Sequence, residues 1–234
     1  MTITEPTKPK GRPSHLVLRP MIASDVQEVA RLFEKTFRRE PLGAHRGIAE
    51  GEGNDIAEAS VQDPVSFVVE DTTLPGPHRL IAFRTSCIVT ADSLARKADK
   101  IATEGHSDSV QAILDHMTEL WLAKSTVFKS NPSAKVMKFM ALGVDSEYEG
   151  QGLAKDLLKV SMDKAVEVGC EAVTVVASAF ATQHLFSKRL GFEMMGRVRY
   201  SDFTWENEKT GKEERPFESL VQPEFLEVFE KKLI

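Results

Sequence analysis

The chain has 234 residues, 41% hydrophobic and 28% charged, enough for one good-sized α/β domain with its own core. A formal charge of -5 speaks against a surface built to hold nucleic-acid phosphates. No run of about 18 apolar residues occurs, so no membrane-spanning helix is expected.

Residues 1–14 are polar and carry Lys8, Lys10 and Arg12, so they read as a flexible tail ahead of a single domain over 15–234. The first residues lack the apolar core of a signal peptide. Cys87 and Cys170 form no Cys-x-x-Cys pair, and the six histidines show no paired spacing. Two reduced thiols in a cytoplasmic protein without a metal site are therefore expected.

His15 to Arg19 alternates as a strand does. Ser24 and Gln27 have capping-box spacing, and Val26, Val29, Phe33 and Phe37 then recur at helical intervals. This helix should run to about Arg39, with Pro41 as its stop. Glycines break the pattern after Leu42, although Ile48 to Val61 can hold a short helix. Val65 to Glu70 and Leu80 to Val89 read as strands around a Pro75-Gly76-Pro77 turn. Val110, Ile113, Leu114, Met117, Leu120 and Trp121 mark an amphipathic helix capped by Ser107 or Asp108.

Val136 to Asp145 is a long apolar strand that leads into a glycine-punctuated turn. A helix from Leu153 follows and ends at Gly169, and Ala172 to Ala177 is a β-branched strand suited to full burial. Phe180 to Leu190 reads as a helix stopped by Gly191. Phe192 to Trp205 and Arg215 to Val221 read as two final strands, with a hairpin loop over Asn207 to Lys212. The order of elements is that of one mixed α/β domain.

The turn after the long strand carries chemistry. Glycines let a backbone approach a ligand, and a helix N-terminus offers unpaired N–H groups and a partial positive charge. Glu149-Gly150-Gln151-Gly152-Leu153-Ala154 combines both, which makes an anion site suited to a diphosphate. A Walker loop is excluded because its Gly-Lys-Ser/Thr end is absent, and a dinucleotide fingerprint lacks its third glycine. A plain strand–glycine–helix turn is the alternative.

This stretch, together with Leu142-Gly143-Val144-Asp145 before it and Lys188-Arg189-Leu190-Gly191-Phe192 later, resembles the GCN5-related N-acyltransferase (GNAT) superfamily. The similarity covers roughly residues 136–205, and more weakly 16–90. It is strongest to the insect-type arylalkylamine (dopamine) N-acetyltransferases. Arg38-Arg39-Glu40-Pro41-Leu42, Val144-Asp145-x-x-Tyr148 and the hydroxyl pair Ser178 and Thr182 carry that likeness. The span from Ser178 to Gly191 holds one residue more than the family pattern. Glu149 also departs from it, since the family has Arg or Gln there.

The resemblance implies a single-domain GNAT fold. Its mixed, mostly antiparallel central sheet splays between the two middle strands and carries helices on both faces. It implies acetyl-CoA as co-substrate and a small primary amine as acceptor, without metal, nucleic acid or membrane, in a monomer or homodimer. Coenzyme contacts fall to Leu142, Gly143, Val144, Glu149, Gly150, Gln151, Gly152, Leu153, Ala154, Thr182 and Ser187. An alkylammonium, with a pKa near 10, must lose a proton before it attacks. Glu40 is the expected general base, with Ser178 and Thr182 as further catalytic hydroxyls. A backbone N–H between Leu142 and Val144 is expected to hold the oxyanion. Ser187 stands where most of the superfamily has an acidic tyrosine. Dopamine, serotonin or tyramine fits the resemblance best. Polyamine, amino-acid and protein-lysine acceptors are the alternatives within catalysis, and a CoA-binding protein without catalysis is the alternative outside it.

Overall fold

The computed structural model describes residues 13–48, 51–207 and 210–233. The expected tail therefore lies, up to residue 12, outside the described residues. The fold is mixed α/β, with a seven-stranded sheet in the order β1-β2-β3-β4-β5-β9-β6 and a separate hairpin, β7-β8. The described residues divide into two compact units. The first runs to Arg39 and includes 47–88 and 139–168; the second comprises 40–46, 89–138 and 169 onward.

In the first unit β1 (Leu16–Pro20) pairs antiparallel with β2 (Phe67–Asp71), and β2 with β3 (Leu80–Val89). Side chains alternate across β2, so the two faces bury different partners. Val68 joins Val29, Leu32 and Phe33 of α1 (Val26–Phe37) and Ala57 of α3 (Glu52–Ala59). Phe67 and Val69 join Leu153 and Leu157 of α7 (Leu153–Glu167) on the other face. A register shift at Val69/Glu70 puts the consecutive Ile81 and Ala82 of β3 together with α7, as a bulge does.

Residues 139–144 of β4 (Val136–Val144) complete this unit. At Gly143 a Cβ would stand 2.3 Å from Phe83 Cε1 and 2.7 Å from Thr36 Oγ1. The glycine is thus required by packing, whatever its backbone does for a ligand. Gly143→Ala is expected to destabilise the protein by about 1–3 kcal/mol, the usual cost of overpacking. Urea unfolding with an unchanged m-value checks it.

In the second unit β5 (Ala172–Ala177) and β6 (Glu193–Arg199) both pair antiparallel with β9 (Phe225–Lys232). The helix α5 (Ser109–Lys124), capped by Asp108 through the N–H of Gln111, packs on β6 and β9. A buried carboxylate ties them together. Glu230 accepts from Trp121 Nε1 and from the Ser125 hydroxyl, each at 2.6 Å.

Several expectations are corrected. Ser24 does not cap α1. Asp25 takes that place in a 3-10 turn: its carboxylate accepts the Ile22 N–H at 2.9 Å and holds Arg19 at 2.6 Å. Pro41 does not merely end α1 but opens a new helix, α2 (Pro41–Arg46). This is the position where a missing N–H is harmless. Two helices went unread, α4 (Ala91–Glu104), which buries no residue, and the short α6 (Val127–Ser130). Arg215 to Val221 is no strand. The chain turns there, and the last strand is β9. The hairpin is real but belongs to β7 (Trp205–Asn207) and β8 (Lys212–Glu214), and residues 208–209 of its loop lie outside the described residues.

Candidate active site

The glycine loop belongs to the first unit. Gly150 has φ +78° and Gly152 φ +80°, the left-handed region that costs L-residues roughly 1–2 kcal/mol. Gly152 is the N-cap of α7, and the first helical bond runs from the Asp156 N–H to the Gly152 carbonyl at 3.2 Å. The N–H groups of Leu153, Ala154 and Lys155 therefore have no acceptor within their helix. Carboxylates brace the entry to the loop. Asp145 accepts the Glu147 N–H at 3.3 Å and pairs with Lys35 Nζ at 2.7 Å. The Tyr148 hydroxyl donates to Asp71 Oδ2 at 2.7 Å, a bond that, with burial, pushes the phenol pKa up to about 12. Glu149 itself is exposed and leans on Arg39, 3.1 Å away. Leu142 and Val144 are half-buried on β4, and Gln151 is exposed.

Glu40 belongs to the second unit. It stands before Pro41, and its carbonyl accepts the first bond of α2, from the Ala44 N–H at 2.7 Å. Its side chain also caps the helix. Oε2 accepts the N–H groups of Leu42 (3.0 Å) and Gly43 (3.1 Å). The other oxygen, Oε1, is buried and has no partner in hydrogen-bonding geometry. Burial raises the Glu40 pKa above its ordinary value, against the pull of the nearby Ser178 hydroxyl and the two backbone N–H groups. A buried carboxylate fixed through one oxygen by two backbone N–H groups, set beside the Ser178 hydroxyl and with its pKa raised by burial, has the attributes of a general base.

The structure brings Ser178 to Glu40. The Thr182 hydroxyl, on α8 (Phe180–His184), donates to Ala179 O at 2.7 Å, and the Ser187 hydroxyl donates to Gln183 O at 2.8 Å. Both protons are thus given to backbone carbonyls of their own turns. A π-helical turn over Leu185–Arg189 follows α8, with the Leu190 N–H on Leu185 O at 3.0 Å. Such a turn takes up one extra residue, which accounts for the surplus between Ser178 and Gly191.

For Tyr200 the sequence offers sheet packing on a late strand, with a contact to the acceptor as the lesser alternative. It sits in a 3-10 turn after β6 (Tyr200–Asp202), is fully buried, and feels the charge of Glu40. No local motif announces it. The turn that carries it meets α2 only through the fold.

The Acetyltransferase (GNAT) family matches residues 115–192. No curated protein sequence matches the chain. Among solved structures, arylalkylamine N-acetyltransferase 2 from Aedes aegypti is 21% identical with a TM-score of 0.75, covering 94% of this chain and 100% of that one. An agmatine N-acetyltransferase is 17% identical with a TM-score of 0.74 and the same coverage. The Drosophila melanogaster polyamine N-acetyltransferase is 19% identical with a TM-score of 0.66, covering 93% of this chain and 100% of that one. Over residues 115–192 the chain carries the pattern of the GNAT acetyltransferase family, and along nearly its whole length it has the fold of these N-acetyltransferase structures.

Proposed function

We propose that the protein moves an acetyl group from acetyl-CoA to the primary amine of a small arylalkylamine such as dopamine, serotonin or tyramine. The observation that supports this reading is the buried Glu40 carboxylate, anchored through Oε2 by two backbone N–H groups and set beside Ser178. In this reading Glu40 accepts the proton from the ammonium, and the freed lone pair attacks the thioester carbonyl. A C–N bond forms, the C–S bond breaks, and the sulfur takes up a proton. Ser178 lies beside the base and supplies a hydroxyl to that exchange, while Thr182 and Ser187 contact coenzyme.

The loop suits a diphosphate because two left-handed glycines precede a helix N-terminus whose first N–H groups have no acceptor within the helix, and open space surrounds both glycines. Gly150, Gln151, Gly152, Leu153 and Ala154 would hold the diphosphate, and the β4 backbone at Leu142, Gly143 and Val144 the acyl end. The acetyl thioester itself supplies the activated carbonyl.

Glu149 is the one unfavourable charge in the loop. Glu149→Gln is expected to tighten CoA binding about two- to fivefold at low salt and less at high salt, because screening already weakens that repulsion. Thermal stability should hardly change, since exposed pairs such as Arg39–Glu149 contribute about 0.2–1 kcal/mol. Calorimetric titration at two ionic strengths, with a melting curve, checks both.

A polyamine or agmatine acceptor is the second reading. The agmatine and polyamine N-acetyltransferases among the similar structures favour it. Thiol release from acetyl-CoA with a panel of amines separates the two. Turnover with tryptamine-like amines supports the first, and turnover with agmatine or spermidine alone supports the second. CoA binding without any turnover overturns both. No helix among the described residues is long and apolar enough to cross a membrane. A cytoplasmic location is part of this proposal. A monomer or homodimer is the assembly proposed.

A further inference from the structure

The first unit holds a buried charge that its own residues do not balance. Arg84 of β3 is 2% exposed. Its Cζ stands 3.9 Å from the centre of the Phe139 ring. Its Nε and Nη2 have no hydrogen-bond partner among the described residues. Burial alone lowers the guanidinium pKa, to about 9, and no carboxylate pulls the other way. An ion taken out of water without a counter-charge is among the costliest things a fold can hold.

The two bare nitrogens belong together. Nε–H and Nη2–H project from the same edge of the guanidinium, the edge that grips a carboxylate through two parallel bonds. The Phe139 ring occupies the face, so the edge is left over. Side chains two apart share a strand face, which sets Ser86 about 7 Å along β3 on the same side as Arg84. The Ser86 hydroxyl is likewise buried and without a partner among the described residues.

The polar groups around this stretch are committed elsewhere. Ser66 Oγ accepts the Ser86 N–H at 3.0 Å and donates to Ser60 O at 3.0 Å. Thr85 Oγ1 accepts the Ala141 N–H at 3.1 Å. Asp63 Oδ2 is taken by the Ile88 N–H at 2.9 Å. Phe67 stands opposite Arg84 on β2, and it is buried, as is Val65. Two residues past Ser86, on the same face, Ile88 is only half-buried, so the strand nears the surface within four residues of Arg84.

We propose that Arg84 and Ser86 form a binding site for a small carboxylate, whose two oxygens lie on Nε and Nη2 while the Ser86 hydroxyl donates to one of them. The site does not depend on the reading of Glu40. Its ligand has two sources, a free carboxylate anion and the carboxylate of an amino-acid acceptor.

Acetate is the probe, with chloride at equal ionic strength as the control. Acetate should raise the melting point of the whole chain saturably, by about 3–6 °C at tenfold excess over Kd, and chloride should not. Arg84→Met should melt no lower than wild type without acetate and gain nothing from it. Arg84→Lys keeps the charge and loses the fork, so acetate should bind at least tenfold more weakly. An equal rise with chloride, or acetate binding unchanged in Arg84→Met, overturns the proposal. Ser86→Ala removes a single oxygen and should weaken acetate about tenfold. It decides the matter if Arg84→Met fails to fold, because wild-type affinity in Ser86→Ala then overturns the site.

Thiol release from acetyl-CoA tells the two sources apart. Turnover of tyrosine that acetate inhibits and Arg84→Met abolishes, with tyramine turnover retained, makes the ligand the acceptor's own carboxylate. Acetate binding without turnover of tyrosine makes it a free anion. A chain that binds acetate through Arg84 yet acetylates no amine sinks the enzymatic reading and leaves this site standing.

Discussion

Glu40→Gln is expected to lower kcat for amine acetylation about 10²–10⁴-fold, the usual contribution of a positioned base. The amide oxygen still accepts from Leu42 and Gly43, so the cap on α2 survives and only proton uptake is lost. Stability should move the other way. Burial raises the folded pKa of Glu40 above its ordinary 4.5, so the folded state favours the protonated acid. That contribution is complete below the unfolded value and is lost as pH rises through the folded one. At neutral pH the wild-type chain therefore carries a buried, half-paired charge that the glutamine lacks. The variant should melt no lower than wild type at pH 7, and the difference should vanish in acid. Such a gain of stability with loss of function is common where a site is held under strain. Melting curves at a series of pH values and single-turnover rates test both halves; a kcat within threefold of wild type would remove Glu40 from the mechanism.

Gly152→Val should weaken CoA binding at least tenfold, which corresponds to about 1.4 kcal/mol. At φ +80° a β-branched residue is an outlier, and the backbone relaxes away from the angle that aims the loop's N–H groups. Nothing lies within 4 Å of a Cβ built at Gly152, so the loss comes from the main chain and not from a clash. Gly152→Asn provides the control. Asparagine tolerates the left-handed region, so most of the affinity should remain. Calorimetry with CoA gives the answer, and valine binding as tightly as glycine would refute the N–H cradle.

The strands β3 and β5, the Asp108 cap and the Gly150–Gly152 turn were legible because each is local. Alternation, capping and left-handed glycines act within a few residues. The helix α4 was not read, although Thr90 and Ser93 form a capping box and Leu94, Ala95, Ala98, Ile101 and Ala102 recur at helical spacing; the stripe is mostly alanine and buries no residue, so it stands out little from its charged neighbours. The last strand escaped for the opposite reason. β9 reads FLEVFEKK, and its charges argue against burial. Glu230 is buried there only because Trp121 and Ser125, more than a hundred residues earlier, satisfy it.

By itself the chain's order of residues determined the α/β class and the glycine turn suited to an anion, through periodicity and glycine's access to positive φ. The candidate carboxylate came from the resemblance of Arg38-Arg39-Glu40-Pro41-Leu42 to the insect-type enzymes, and that Pro41 starts a helix was seen only in the structure. Tertiary structure alone decided that Glu40 is buried and held through one oxygen by the start of α2, that Ser178 lies beside it, and that Thr182 and Ser187 turn to their own backbone. Desolvation and pairing depend on neighbours distant in the chain, so no local pattern encodes them.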